Sequence, residues 1–187
     1  MKRAENIMQT DPAMIKLIVL DIDGVMTDGS KTYGIDGSVI AKTYNDKDFT
    51  AIKRFKASGV PVCFLSGDNR INEKMAANRN IDFYYSRGID KASFVEQFTV
   101  KYGAPASEIL YIGDDIFDLS LLQVVGYPYC TADSPTIVKN ACSECGIVPR
   151  KGGENVIAAL YDILLDKNLI KDATMEAIEI LDKKEIF

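Results

Sequence analysis

The sequence predicts an α/β protein built on a doubly wound, mostly parallel sheet of the Rossmann type. Short apolar runs of strand length alternate along the chain with amphipathic helical patterns. Several of these runs end in polar residues or glycine, as strands do when a site lies at their tips. The 187 residues are enough for one well-packed domain and short for two. No segment between the predicted strands is long enough to form a large cap domain.

The first predicted strand, residues 15–20, has five apolar residues in six and runs directly into Asp21. Two short β-like pieces around Asp36-Gly37 follow and predict a small hairpin flap within residues 30–44. Residues 46–58 then have apolar side chains at helical spacing, and Gly59 stands where a helix would end.

The rest of the chain continues the alternation of strands and helices. Further strands are predicted at residues 60–65, 82–85, 108–112, 127–130 and 146–149. Helices are predicted at residues 69–80, 90–102 and 116–125, after Pro135, and from residue 156. We therefore divide the chain into an N-terminal extension (1–14), the α/β core (15–166) and a C-terminal helical tail (167–187).

The amino-acid composition argues against several classes of binding partner. The net charge is −5 and no basic cluster is longer than Lys183-Lys184, which argues against nucleic acid. No apolar run reaches the roughly 18 residues of a membrane span, and residues 1–12 lack the apolar segment of a signal peptide. We therefore expect a cytoplasmic protein with no membrane partner. The chain has no histidine, which excludes Ser-His and Cys-His nucleophiles.

Two carboxylates follow the first strand. Asp21 and Asp23 are two residues apart, so alternation along the chain points both side chains to the same side. Like charges that share a small space need a bound cation or a shared proton. Gly24 and Gly29 allow the backbone to turn away and a ligand to approach it.

Polar side chains also follow the later strands. Ser66 comes after the second strand of the sheet, and Asp114, Asp115 and Asp118 come after the fourth, while Lys91 begins a predicted helix. The carboxyl ends of parallel strands meet at one edge of the sheet, so these residues should converge. Carboxylate oxygens suit Mg²⁺, and a hydroxyl with a lysine suits phosphate oxygens. Because an aspartate can act as the nucleophile beside such groups, the site predicts phosphoryl transfer.

Four short segments, taken in their order along the chain, resemble the four motifs of the haloacid dehalogenase superfamily of phosphatases. They are residues 21–29 (DIDGVMTDG), Ser66-Gly67, Lys91, and Gly113-Asp114 with Asp118. The form of the first motif, the hairpin and Lys151-Gly152-Gly153 resemble the small capless branch that contains the 3-deoxy-D-manno-octulosonate 8-phosphate (KDO 8-phosphate) phosphatases. The similarity covers about residues 15–166.

The resemblance implies a mechanism. Asp21 would attack phosphorus and become an aspartyl phosphate, and Asp23 would protonate the leaving alcohol and then activate water. Ser66, Gly67 and Lys91 would bind the phosphoryl oxygens. In this branch four subunits associate through their hairpins, so the resemblance also implies a homotetramer in which a neighbour helps to close each site.

The resemblance further implies one Mg²⁺ ion as cofactor, held by Asp21, Asp114 and the backbone carbonyl of Asp23. Either Asp115 or Asp118 would act through water or orient Lys91. The residues with supporting roles would be Asp115, Asp118 and Thr27.

The implied substrate is a small phosphorylated sugar or sugar acid, with KDO 8-phosphate as the leading choice. Octulosonate phosphatases commonly have arginine directly after the glycine of the second motif, where this chain has Asp68. A carboxylate at this position would repel a sugar-acid carboxylate unless Arg70 or Lys47 reaches the site. A nonulosonate phosphate and a neutral sugar phosphate therefore stay open as alternatives.

Two other classes of function also remain. A response-regulator receiver uses an acidic cluster, a hydroxyl and a lysine, but its phosphoacceptor usually follows an acidic pair on an earlier strand. Here the acidic pair ends the first strand, and Lys91 precedes the last acids. The second alternative is a catalytically silent relative. Turnover of an aryl phosphate with Mg²⁺ would separate both from a phosphatase.

Overall fold

Strands and helices alternate along the part of the chain that the computed structural model describes, residues 15–143 and 146–184. The strands are β1 (Leu17–Leu20), β2 (Thr32–Tyr33), β3 (Val39–Ala41), β4 (Val62–Ser66), β5 (Asp82–Tyr85), β6 (Ile109–Gly113), β7 (Tyr127–Thr131) and β8 (Ile147–Val148). The α-helices are α1 (Asp46–Ala57), α2 (Arg70–Asn78), α3 (Val95–Tyr102), α4 (Leu119–Leu122), α5 (Thr136–Cys142), α6 (Val156–Asp166) and α7 (Met175–Asp182). None of these helices has the length and apolar character needed to span a membrane. The predicted extension, residues 1–14, lies outside the described residues.

Six strands form one parallel sheet in the order β5-β4-β1-β6-β7-β8. Counted along these six strands alone, the order is 3-2-1-4-5-6, which is that of the Rossmann fold. The predicted doubly wound α/β fold is therefore confirmed. The strand order reverses beside β1, so the crevice at the carboxyl ends of β1 and β6 is where this fold binds ligands.

Both faces of the sheet are covered by helices. Ile18 and Leu20 of β1 belong to one apolar cluster, together with side chains of α1 and α6. Leu17 and Val19 belong to a second cluster, together with side chains of α3, α4 and α5. Alternate residues of a strand face opposite sides, so β1 must be apolar at every position, as its sequence is.

The predicted hairpin is present as a separate two-stranded antiparallel sheet, β2 with β3. Its turn has Gly37 at a φ of 76° and is closed by the Gly34 N–H, which donates to the Ser38 carbonyl at 2.7 Å. The tip is largely exposed, including the apolar side chains of Tyr33, Ile35 and Ile40. No larger insertion interrupts the sheet within the described ranges, so a cap domain is absent there.

A buried carboxylate ties α1 to the start of α6. Asp48 Oδ1 accepts hydrogen bonds from the N–H groups of Ile157 at 2.9 Å and Ala158 at 3.0 Å. The loop before α6 also packs on the turn after β1, because the Gly153 N–H donates to the Val25 carbonyl at 2.9 Å. At Gly152 a Cβ atom would lie 2.2 Å from the Gly24 carbonyl oxygen, so only glycine fits there.

Two predicted helices start as 3-10 turns, which places polar residues at the crevice. Lys91–Phe94 is a 3-10 turn before α3, and the Asp90 side chain caps it by accepting from the Ala92 N–H. Ile116–Asp118 is a second such turn, and the α4 helix that follows ends at Leu122. The α-helix predicted for 116–125 is therefore shorter than expected, because its first turn is a 3-10 turn closed by the side chains of Asp115 and Asp118.

The C-terminal tail packs against α1, outside the sheet. Lys53 of α1 and Asp182 of α7 form an ion pair at 2.5 Å. The Arg54 side chain also pairs with Asp172 at 3.2 Å. No residue of α7 is buried, which agrees with the lack of a place for this helix in the predicted core.

Candidate active site

A cavity of about 1250 Å³ opens at the carboxyl ends of β1, β4 and β6, at the point where the strand order reverses. The structure brings to it every site residue predicted from the sequence except Thr27 and Lys47. The predicted convergence of strand-end residues is therefore observed. Their individual roles remain predictions.

Asp21, directly after β1, is a buried carboxylate with fixed orientation. Its Oδ1 accepts from the N–H of Ile22 at 2.8 Å, and its Oδ2 accepts from Lys91 Nζ at 3.1 Å. Burial raises the pKa of Asp21 to about 7; the charge of Lys91 opposes this rise and the charge of Asp118 adds to it. An anionic Asp21 therefore needs more positive charge nearby than Lys91 alone supplies.

Asp118 is saturated with hydrogen bonds. Its Oδ1 accepts from Lys91 Nζ at 2.5 Å and from the hydroxyl of Tyr111 at 2.6 Å. Its Oδ2 accepts from the N–H groups of Asp114 at 2.8 Å and Asp115 at 2.9 Å. Asp118 thus contacts Lys91 directly, whereas Asp115 is exposed and caps the following 3-10 turn by accepting from the N–H groups of Ile116 and Asp118.

Tyr111 is a site residue that the sequence interpretation missed. It lies on β6, is fully buried, and donates to Asp118 while its oxygen also lies 3.0 Å from Lys91 Nζ. Burial, with the neighbouring charges of Asp118 and Asp21, raises the pKa of the Tyr111 hydroxyl well above its ordinary value. Its only signal in the sequence is one hydroxyl group inside an apolar strand, which is also typical of a core tyrosine.

Asp114 has the features of a cation ligand. One oxygen each of Asp21, Asp114 and Asp118 lie within 4.8 Å of one another, and Asp114 Oδ1 is buried without a hydrogen-bond partner. Burial and the charges of Asp21 and Asp118 raise the pKa of Asp114 to about 8. Gly24, at a φ of 86°, leaves space for this carboxylate, because a Cβ atom there would lie 2.0 Å from Asp114 Oδ2. These residues fit a divalent metal ion.

Asp23 lies in the same cavity but has different partners. Lys42 Nζ donates to both of its oxygens, at 2.7 and 2.9 Å, and Asn72 Nδ2 donates to Oδ2 at 3.3 Å. The Lys42 side chain is 0% exposed. A lysine at the base of the hairpin therefore compensates the charge of Asp23, a partner that the sequence interpretation did not name.

Asp68 is also paired with hairpin lysines. Its Oδ2 lies 3.1 Å from Lys31 Nζ and 2.9 Å from Lys42 Nζ. Partial burial acts in the opposite direction, but the hydrogen bonds from Lys42 and Lys31 lower the pKa of Asp68. The sequence interpretation did not name these two partners of Asp68. Of the two cations that it expected to reach the site, Arg70 lines the cavity, whereas Lys47 is exposed on α1 and does not.

Ser66 ends β4 and is buried at the cavity wall. Its Oγ accepts from Asn72 Nδ2 at 3.0 Å and from the Asp68 N–H at 3.2 Å. With these acceptor positions used, its hydroxyl proton is available to a phosphate oxygen. Asn72, a second residue that the sequence interpretation missed, joins Ser66 to Asp23. Gly67 also lines the cavity.

Thr27 supports the turn after Asp23 from outside the cavity. It is fully buried, and its Oγ1 accepts from the N–H groups of Gly24 at 3.4 Å and Gly29 at 3.2 Å. The side chain of Asp28 accepts from the Ser30 N–H at 2.8 Å, so it caps the end of the same turn.

Comparisons with known proteins agree with this fold and cavity. The model of the haloacid dehalogenase-like hydrolase family matches residues 70–159. The chain is 30% identical over 159 residues to 3-deoxy-D-manno-octulosonate 8-phosphate phosphatase KdsC of Haemophilus influenzae. This alignment covers 84% of this chain and 87% of that protein. The chain therefore belongs to the haloacid dehalogenase-like hydrolases. Within this family it is a phosphatase similar to the KDO 8-phosphate phosphatases.

Solved structures give the same result. The cobalt-bound deoxy-D-mannose-octulosonate 8-phosphate phosphatase (YrbI) from Haemophilus influenzae superposes with a TM-score of 0.75 at 29% identity, over 82% of this chain and 90% of that one. The enzyme from Moraxella catarrhalis, solved with a magnesium ion, a phosphate ion and KDO, gives a TM-score of 0.74 at 25% identity, over 84% and 90% of the two chains. The predicted family and enzyme class are confirmed, and the receiver alternative is excluded.

We expect Tyr111→Phe to lower kcat for an aryl phosphate about tenfold, because Lys91 loses one of the groups that fix it. Steady-state kinetics with 4-nitrophenyl phosphate measure this effect. Tyr161→Phe is the matched control, since its hydroxyl donates to Asp172 at 2.8 Å and does not line the cavity. Equal kcat values for the two variants would show that Tyr111 only fills the core.

Proposed function

We propose that the protein is a Mg²⁺-dependent phosphomonoester hydrolase that works through an aspartyl phosphate, on a 2-keto-3-deoxy sugar acid phosphate such as KDO 8-phosphate. The observation that carries the proposal is the buried Asp21 carboxylate, which shares one cavity with Lys91, Ser66 and Asp114. The names of the similar enzymes support the choice of substrate.

In the first step, an Asp21 oxygen forms a bond to phosphorus while the bond from phosphorus to the leaving oxygen breaks. Lys91 and the Ser66 hydroxyl bind the phosphoryl oxygens and stabilise the charge that develops on them. The leaving oxygen takes a proton from Asp23 and departs as an alcohol. In the second step, Asp23 takes a proton from water as that water attacks phosphorus and the bond from phosphorus to the Asp21 oxygen breaks. This releases inorganic phosphate and restores the Asp21 carboxylate.

Asp21, Asp114 and the backbone carbonyl of Asp23 would hold the Mg²⁺ ion. When bound, Mg²⁺ supplies positive charge that offsets the negative charge of the carboxylates and the phosphate. The unpaired Oδ1 of Asp114 supports this assignment. Asp118 would not bind the ion directly, because its oxygens already accept four hydrogen bonds.

The charge around Asp68 bears on whether the substrate is a sugar acid phosphate or a neutral sugar phosphate. Repulsion of a sugar-acid carboxylate is weaker than the sequence alone implies, since Lys31 and Lys42 both pair with Asp68. A sugar acid phosphate is therefore compatible with the cavity. A nonulosonate phosphate or a neutral sugar phosphate is the alternative, favoured by the absence of the arginine that octulosonate phosphatases commonly carry at this position.

The metal assignment predicts that EDTA abolishes turnover of 4-nitrophenyl phosphate and that added Mg²⁺ restores it. Asp21→Asn should have no measurable activity, because it removes the attacking carboxylate. Asp114→Asn should need far more Mg²⁺, because it removes a negative charge that would hold the ion. Phosphate release against Mg²⁺ concentration is the measurement. Asp162→Asn, on an exposed face of α6, is the control. Full activity in EDTA would disprove the metal requirement, and no turnover under any condition would favour a silent relative.

The acid role predicts that Asp23→Asn lowers kcat on the order of 10²–10⁴-fold for an alkyl phosphate. The loss should be much smaller for 4-nitrophenyl phosphate, since its leaving group needs little protonation. Comparing the two esters in the same variant controls for damage to folding or metal binding. Equal losses on both esters would assign Asp23 to metal binding alone.

We also propose a homotetramer that acts in the cytoplasm, following the resemblance to the capless branch. The exposed Tyr33, Ile35 and Ile40 on the hairpin support association through this element, because exposed apolar strands favour pairing. Light scattering at micromolar concentration should give four times the mass of one chain. A monomer with full activity would disprove the proposal.

A further inference from the structure

Lys31 lies at the base of the hairpin, directly before β2, and lines the cavity together with Asp68. Its Nζ donates to Asp68 Oδ2 at 3.1 Å and lies 3.7 Å from Asp23 Oδ2. The side chain is 27% exposed, whereas that of Lys42 is 0% exposed. Lys31 is therefore the lysine of this cluster that a substrate can reach.

The ion pair between Lys31 and Asp68 is anchored to the core through Lys42. Lys42 Nζ lies 2.9 Å from Asp68 Oδ2, donates to both oxygens of Asp23 and donates to Asn72 Oδ1 at 3.0 Å. Asp68 is thus held in place by a buried cation behind it. Lys31 can then contact a ligand from the cavity side without leaving Asp68 unpaired.

The pair offers a donor and an acceptor side by side. An ammonium group has three N–H donors, and within the described residues Lys31 uses one of them, on Asp68. Both lysines approach Asp68 at Oδ2, so Oδ1 has no partner among residues 15–143 and 146–184. A hydroxyl group both donates and accepts, and it matches this arrangement as one group.

The position of the pair identifies which hydroxyl this is. Lys91 contacts Asp21, which attacks phosphorus in the proposed mechanism. Lys31 is instead close to Asp23, which protonates the leaving oxygen in the proposed mechanism. A group that contacts Lys31 and Asp68 therefore belongs to the leaving alcohol, close to its ester oxygen. The nearest such group is a hydroxyl on the adjacent carbon.

We propose that the Lys31–Asp68 ion pair binds the hydroxyl group on the carbon next to the phosphate ester. The enzyme then selects phosphate esters of vicinal diols over phosphate esters of simple alcohols. This inference rests on the proposed function, because it takes the Asp23 side of the cavity as the leaving-group side. It does not depend on which sugar phosphate is the physiological substrate.

The test uses two small esters that differ in one hydroxyl, sn-glycerol 3-phosphate and 1,3-propanediol monophosphate. For the wild-type enzyme we expect kcat/KM to be about 10- to 100-fold higher for the glycerol ester, since its second hydroxyl can form hydrogen bonds with Lys31 and Asp68 that the analogue cannot form. Lys31→Met should bring this ratio close to one by lowering kcat/KM for the glycerol ester alone. Lys31→Arg, which keeps a cationic donor, should retain part of the preference.

Lys47→Met is the matched control, because it removes a lysine that is exposed and does not line the cavity. It should keep the wild-type ratio. A purely structural role of Lys31 would lower kcat/KM for both esters equally and leave the ratio unchanged, which would overturn the inference. The inference would also be overturned if Arg70→Met lost the preference for the glycerol ester and Lys31→Met kept it.

The two proposals fail in different ways. If the wild-type enzyme hydrolyses 4-nitrophenyl phosphate with Mg²⁺ but does not prefer the glycerol ester, or hydrolyses neither small ester, the inference is wrong and the proposed function stands. If no ester, including 4-nitrophenyl phosphate, is hydrolysed under any metal condition, the proposed function is wrong and the inference falls with it.

Discussion

The structure depends on one buried ammonium group, that of Lys91, which neutralises part of a dense cluster of carboxylates. It contacts Asp21 at 3.1 Å and Asp118 at 2.5 Å, and its side chain is only 8% exposed. Burial lowers the pKa of Lys91, but the two carboxylates outweigh burial and raise it, so the lysine stays charged. One cation cannot balance Asp21, Asp114 and Asp118 together at such short distances. The remaining negative charge is what suits this cavity to a metal ion.

The polar residues of the cavity form two clusters with different partners. One cluster contains Asp21, Lys91 and Asp118 and lies at the ends of β1 and β6. The other contains Asp23 and Asp68 and is balanced by lysines from the hairpin. Asn72 connects this second cluster to the Ser66 hydroxyl. In the proposed reaction, the first cluster holds the group that is transferred and the second holds the group that leaves.

The sequence predicted those parts of the site that follow from strand topology. Asp21, Ser66 and Asp114 directly follow strands or end them, and parallel strands must bring these residues to one edge. The partners of Asp68 could not be found in this way. Arg70 and Lys47 were the cations expected to reach the site, but the hairpin folds back over the cavity and pairs its own lysines, Lys31 and Lys42, with Asp68.

Tyr111 and Asn72 were missed for a related reason. Tyr111 is one residue in the apolar run of β6, and its hydroxyl gains a role only because Lys91 and Asp118 pack beside it. Asn72 lies inside α2 and bonds to Asp23, which is 49 residues away in the chain. Such contacts depend on tertiary packing, whereas the periodicity of apolar residues and the spacing of motifs in the sequence indicate only local structure.

The hairpin combines two surfaces in a small element. Its base carries Lys31 and Lys42, directly before β2 and directly after β3, and both lysines bind carboxylates of the core. Its tip carries Ile35, which is exposed and does not line the cavity. The base is therefore held over the cavity by ion pairs whatever covers the tip. Substitutions at the base should alter catalysis and the binding of the leaving group, whereas substitutions at the tip should alter association of the subunits. The two roles can therefore be separated by substitutions within one short segment, residues 30–44.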